Sequence, residues 1–252
     1  MIELIRNCSH DSEIATYLIV DCGSKQIIKV ASSIIGIDGL QRELQGWQWY
    51  QKARYPEQKD HICKIIQKNP SYLKIGIKFI NGVKADYRTG LILNRNLLRK
   101  VMSHYCDIWP YYSNGCSVLH GDLSLDNIIC NKEGIHIIDW EYFNPNGALW
   151  GFDAVYLLFE VLYFGMKRRK LPSLLEFDII AENIAILNKQ KLLAVDFIRS
   201  PLKTVKDFII TNYKCWGDYL LIAPKKLPIL SFTDNQIFLI DQAISSRMRG
   251  ML

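Results

Sequence analysis

The chain has 252 residues, of which 49% are hydrophobic and 22% charged, the balance of a globular protein with a full hydrophobic core. The formal net charge of +6 is modest; it suits an anionic ligand, and with no Lys/Arg block interleaved with aromatics it argues against a nucleic-acid groove. Seven cysteines are scattered without a C-x-x-C pair, an odd number that points to reduced thiols in a cytoplasmic protein and away from a disulfide framework or a zinc site.

The first third reads as strand-rich. Residues 16–20 and 26–30 are short β-branched runs, and the turn residues 21–24 between them make a hairpin. The start of the chain, residues 1–6, lacks both a basic region and a long apolar run, so no signal peptide is expected. Residues 39–52 carry helical spacing, with Leu40, Leu44, Trp47 and Tyr50 on the apolar side. Two further strands follow at 62–66 and 72–80, split by a turn at 68–71 and ended by Asn81-Gly82.

From there the pattern turns helical. The spacing predicts a helix over 94–109, stopped by Pro110. A second hairpin is expected in the segment 118–143, with strands 127–130 and 135–138 around the turn 131–134. Helices are predicted over 152–164, 174–188, 202–219 and 235–248. The apolar run 150–166 contains Asp153 and Glu160, so it reads as a buried helix and not a membrane span. The economical reading is an α+β chain of two lobes. Residues 1–82 form a β-rich lobe, residues 83–252 an α-rich lobe, and the cleft between them is the default binding site.

The most informative stretch is His120-Gly121-Asp122-Leu123-Ser124-Leu125-Asp126-Asn127 with Ile138-Asp139-Trp140-Glu141 after it. Its polar side chains are those a phosphoryl-transfer site needs. Asp122 can accept a hydrogen bond from an attacking hydroxyl and take its proton late, while Asn127 and Asp139 offer hard oxygens to Mg²⁺. Asp126 reads as an exposed turn residue more readily than as a metal ligand.

The spacing His120-x-Asp122-x-x-x-x-Asn127 followed by Ile138-Asp139 resembles the catalytic and metal-binding loops of the protein-kinase-like superfamily. It is most similar to the aminoglycoside phosphotransferase and choline/ethanolamine kinase branch. Gly121 stands where protein kinases have Arg, and Asp139-Trp140-Glu141 where they have D-F-G, as in small-molecule kinases. The resemblance implies a protein-kinase-like two-lobed fold, ATP and Mg²⁺ as cofactors, and a small hydroxyl-bearing substrate. It implies that His120 and Asp153 brace the catalytic loop. It further implies that Lys29 contacts the α- and β-phosphates and pairs with Glu43. The backbone around Phe79-Ile80 is then expected to receive the adenine. No glycine lies between Ile5 and Thr16, where a glycine-rich phosphate loop would stand, so Ser9, Ser12 and backbone N–H groups are the expected phosphate contacts.

The stretch from Asp139 to Glu160 looks particularly like the choline/ethanolamine kinases. That makes choline or ethanolamine the first expected acceptor, with a sugar, glycan or aminoglycoside second. Trp140, Glu141, Tyr142 and Trp216 are the candidate acceptor contacts. Aromatics of this kind can cage a quaternary ammonium, though more often they are packing. The basic run 167–170 reads as a solvated helix end. A nucleotide-binding pseudokinase is a further reading. A metal-dependent phosphohydrolase is another, but it would need several histidines, and His120 alone is at hand.

Overall fold

The structure is a computed structural model that describes residues 1–6, 13–21, 23–58, 60–86, 89–166, 171–212 and 228–251. The chain forms two compact units, Met1–Asn81 with Asp139–Asn144, and Gly82–Ile138 with Pro145–Leu252. A sequence division at residue 82 does not anticipate that 139–144 packs with the first unit. That segment has neither helical nor strand periodicity to announce where it goes.

In the first unit, strands β1 (Ile2–Arg6), β2 (Ile14–Asp21), β3 (Ser24–Ala31), β4 (Cys63–Asn69) and β5 (Tyr72–Lys78) form one antiparallel sheet in the order β1-β2-β3-β5-β4. The predicted hairpin is there, with Asp21 paired to Ser24. Lys29 lies on the central strand, opposite Thr16 on one side and Ile75 on the other. Side chains alternate across a strand, so Lys29 shares a face with Ala31 and its paired neighbours Ile14, Leu73, Ile75 and Ile77, all buried. Helix α1 (Ile34–Arg54) covers that face with Leu40, Glu43, Trp47 and Tyr50. It starts five residues before the predicted 39, because the Ser33 side chain accepts the Gly36 N–H at 3.1 Å and caps a first turn whose Ile and Gly composition does not read as helical. Gln51 ties the far end of α1 to β4. Its Oε1 accepts the Ile62 N–H at 2.9 Å and its Nε2 donates to the Asp60 carbonyl at 2.9 Å.

The second unit is mainly helical: α2 (Gly90–Ile108), α3 (Phe152–Met166), α4 (Leu174–Gln190), α5 (Val195–Arg199), α6 (Pro201–Asn212) and α7 (Asp234–Met248). The predicted helix 202–219 is described only to residue 212. Helix α3 is buried without a break from Phe152 to Leu162, as befits a helix apolar on every side. It meets α2 where two glycines touch: a Cβ on Gly165 would lie 2.6 Å from the Gly90 Cα. Ser173 with Glu176 and Thr233 with Gln236 form capping boxes at α4 and α7. Strands β6 (Val83–Lys84), β8 (Ile128–Asn131) and β9 (Gly134–Ile137) make a small sheet, and β7 (Cys116–Leu119) pairs with β10 (Asn144–Leu149). The β8–β9 hairpin is the one expected from the sequence. Among the described residues no helix is long and apolar enough to cross a membrane, and Cys63, Cys106, Cys116 and Cys130 carry free thiols.

Candidate active site

In the first unit, the sheet and α1 bring one ammonium between carboxylates. Lys29 is 6% exposed, and its Nζ lies 3.0 Å from Glu43 Oε2 and 2.5 Å from Asp139 Oδ1. The other Glu43 oxygen accepts the Trp47 indole N–H at 2.8 Å. Burial pulls the Lys29 ammonium down, but Asp139, Glu43 and Glu141 together hold it above the usual lysine value, so it stays charged. Burial pushes Glu43 up to about 7 while Lys29 opposes the shift. One positive charge thus faces three carboxylates, an excess of negative oxygen that suits a divalent cation on Asp139.

Asp139 itself has φ +66°, the left-handed region that a non-glycine residue enters at a cost of about 1 kcal/mol or more. Packing of the residues that follow it supplies the restraint. The Trp140 ring lies 5.1 Å from Tyr50 and 5.4 Å from Trp49, and it is 0% exposed. Arg42 Nε donates to the Glu141 carbonyl at 2.8 Å, and the Phe143 N–H to the Trp140 carbonyl at 3.0 Å. These contacts correct the expectation for Trp140: a fully buried ring has no face left for an acceptor. Glu141 is also buried, and Tyr142 is half-buried. Phe79 and Ile80 leave β5 half-buried, and the Lys25 ammonium covers the Phe79 ring at 5.2 Å. Ser9, Ser12 and Trp216 lie outside the described residues.

In the second unit, the loop after β7 is held by peptide N–H groups. Asp153, at the start of α3, accepts the His120 N–H at 2.8 Å and the Gly121 N–H at 3.1 Å. Burial pushes Asp153 up to about 6, and those two donors oppose the shift. The buried His120 ring accepts the Asp122 N–H at Nδ1 (3.3 Å), which leaves the proton on Nε2 to be donated to the Ile138 carbonyl at 3.1 Å. Gly121 has φ +86°, where glycine bears no penalty. Asn127 closes the turn. Its Nδ2 donates to the Asp122 carbonyl at 2.8 Å and to the carboxylate Oδ2 at 3.2 Å, and its own carbonyl accepts the Ile138 N–H at 3.0 Å. With the amide nitrogen committed to Asp122, the Asn127 Oδ1 is the side-chain atom that could serve a cation. No cluster of three or more His, Cys, Asp or Glu able to hold a metal occurs among the described residues.

Sequence reasoning missed Glu160 as a site residue. It lies in α3, 7% exposed, and its Oε2 has no hydrogen-bond partner among the described residues. Burial pushes its carboxyl well above the usual range, and Asp122 and then Asp126 push it further. A glutamate within an otherwise apolar helix is the signal that marks it.

No family model matches the sequence, and no curated protein matches it either. Solved structures do. The chain is similar to a thermostable variant of the aminoglycoside phosphotransferase APH(4)-Ia in ternary complex with AMP-PNP and hygromycin B. The identity is 10%, the match covers 96% of this chain and 94% of that one, and the TM-score is 0.50. A GDP complex of aminoglycoside 2'-phosphotransferase-IIIa matches at 12% identity over 87% of this chain and 93% of that one, with a TM-score of 0.44. The first likeness shows the fold: this chain has the protein-kinase-like fold of an aminoglycoside phosphotransferase.

Proposed function

We propose that the protein is an ATP- and Mg²⁺-dependent O-phosphotransferase whose acceptor is an amine-bearing polyhydroxylated molecule of the aminoglycoside class. The observation that carries the reaction class is the contact of Lys29 with both Glu43 and Asp139. A buried ammonium held by a helix carboxylate is what orients a lysine toward phosphate oxygens. Asp122 accepts the hydrogen bond of the attacking hydroxyl, and the Asn127 amide and His120 ring fix the loop that aims it. Asp153 locks that loop through two peptide N–H groups. Asp139 would hold Mg²⁺, with the Asn127 Oδ1 a further candidate oxygen donor, and the bound ion would neutralise phosphate charge. The backbone at Phe79 and Ile80 would receive the base; Ser9 and Ser12, which lie outside the described residues, stay the sequence's candidates for the phosphates. The four free thiols among the described residues fit a cytoplasmic setting.

The Asp122 and Asp126 carboxylates both act on the buried Glu160 carboxyl, a gathering of negative charge that favours an acceptor bringing ammonium groups. The solved aminoglycoside phosphotransferase of the same fold holds hygromycin B, an acceptor of this kind. An aromatic cage for choline loses support, because Trp140 is fully buried and Trp150 and Tyr156 are buried with it. Glu141 and Tyr142 stay as acceptor contacts. The test is ADP release against a panel of aminoglycosides, neutral sugars, choline and ethanolamine. Turnover with aminoglycosides alone is expected. Turnover only with choline would restore the ammonium-cage reading, and nucleotide binding without turnover on any acceptor would favour a pseudokinase.

A further inference from the structure

We propose that Gly46 and Arg42, which flank Glu43 on α1, are positioning residues that aim the Asp139 carboxylate and thereby set how strongly Mg²⁺ promotes nucleotide binding. The inference rests on the reading of Asp139 as a metal-holding residue. Gly46 stands three positions after Glu43, on the same face of the helix. A Cβ placed on it would lie 2.4 Å from Trp140 Cβ, 2.8 Å from Trp140 Cγ and 3.1 Å from Phe143 Cβ. The two distances to Trp140 are ones real Cβ atoms essentially never show, so the helix backbone and the Trp140 side chain meet only because residue 46 is a glycine.

Trp140 has no room to yield. Tyr50 and Trp49 pack on its ring, and Phe143 adds an edge contact at 6.0 Å. In a close-packed interior, displacement passes to the next covalent neighbour more easily than it is absorbed. On the N-terminal side that neighbour is Asp139, whose left-handed backbone leaves it a narrow conformational well. On the C-terminal side, Arg42 tethers the Glu141 carbonyl to α1. Glu43, between Arg42 and Gly46 in sequence, pairs with the same Lys29 that holds the Asp139 carboxylate. One helix face therefore sets the ammonium, through Glu43, and the backbone around the metal-holding carboxylate, through Gly46 and Arg42. A carboxylate moved by about 1 Å can lose on the order of 10²-fold in a reaction that depends on its position.

The test is equilibrium binding of ATP to the full-length protein in Mg²⁺ and in EDTA, for wild type, Gly46→Ala and Arg42→Met, with thermal unfolding of each recorded alongside. In the wild type Mg²⁺ should tighten binding. Gly46→Ala should cut that enhancement by about 10-fold and change affinity in EDTA by less than about 2-fold; Arg42→Met should give a smaller loss of the same kind. Equal weakening with and without metal would mean that the two residues only pack the unit, and the proposal would fail. Unchanged enhancement in both variants would also overturn it. If Gly46→Ala does not fold, Arg42→Met decides alone. A wild type that binds ATP with no gain from Mg²⁺ removes the metal reading of Asp139 itself and this inference with it. Wild-type enhancement that survives both substitutions removes the inference alone.

Discussion

The two candidate clusters, one in each unit, are held by different physics. In the first unit, side-chain charges hold one another: Lys29 sits against Glu43 and Asp139, and Glu141 adds to the field. In the second, a buried carboxylate is held by peptide N–H groups, with Asp153 accepting from His120 and Gly121. A charge pair can rearrange when a new charge arrives, since an ammonium can trade one oxygen for another. A carboxylate clamped by fixed backbone donors cannot. Under the proposed function the contrast would amount to a division of labour, in which the Lys29 cluster would respond to the phosphates and the metal. The Asp122 loop, by comparison, would present a fixed acceptor to the hydroxyl.

The substitutions that test this contrast fall in order of size. Trp140→Ala should be the most damaging, because it empties a fully buried site behind Asp139. A loss of about 3–5 kcal/mol in denaturant unfolding is expected, with the ranking of acceptors by kcat/KM unchanged. A reordered ranking would return Trp140 to the acceptor site. Lys29→Met comes next, since it leaves a buried Glu43 without its cation. Stability should fall by about 3 kcal/mol, measured the same way, and Glu43→Gln should restore part of it. No restoration would mean that the charge pair is not what holds the first unit.

Asp153→Asn sharpens the other side. The amide keeps the shape but turns an N–H₂ toward one of the two N–H donors, for a loss of about 1–3 kcal/mol at pH 7. The pH dependence is specific. The folded-state value of about 6 lies above the ordinary 3.8, so as pH rises from about 4 the unfolded chain releases this proton first. The proton-linked part of the Asp153 contribution to stability is therefore full below about pH 4 and is lost by the time pH passes 6, while its hydrogen bonds to the two N–H groups persist. Wild type should lose stability relative to Asp153→Asn across that window, and parallel curves would contradict the assignment. The smallest effect is expected at Glu182, whose carboxylate bridges Arg95 and Arg99 near the surface. Glu182→Ala should cost at most about 1 kcal/mol and leave catalysis alone.

Much of this was legible in the sequence, and the reasons are particular. The β8–β9 hairpin could be read because its strands are apolar and its turn is Asn131-Lys132-Glu133-Gly134. Lys29 could be read because a lysine inside Ile27-Ile28-Lys29-Val30 is out of place on a solvated face. Strand β10 could not. Asn144-Pro145-Asn146-Gly147 has the composition of a loop, and only its pairing with β7 makes it a strand. Nor could the sequence place 139–144 on α1, because that packing depends on a glycine in a helix, and Gly46 by local propensity merely weakens a helix. Glu160 escaped for a similar reason. Its meaning comes from Asp122 and Asp126, distant in sequence, and not from its own neighbours.

The account stands on Asp122, and the direct measurement is acceptor-dependent ADP release by wild type and Asp122→Ala, with Mg-ATP binding measured on both. Wild type should turn over an aminoglycoside. The variant should lose about 10³-fold in kcat while its Mg-ATP affinity stays within about 2-fold of wild type. Near-wild-type turnover by Asp122→Ala would contradict the central claim.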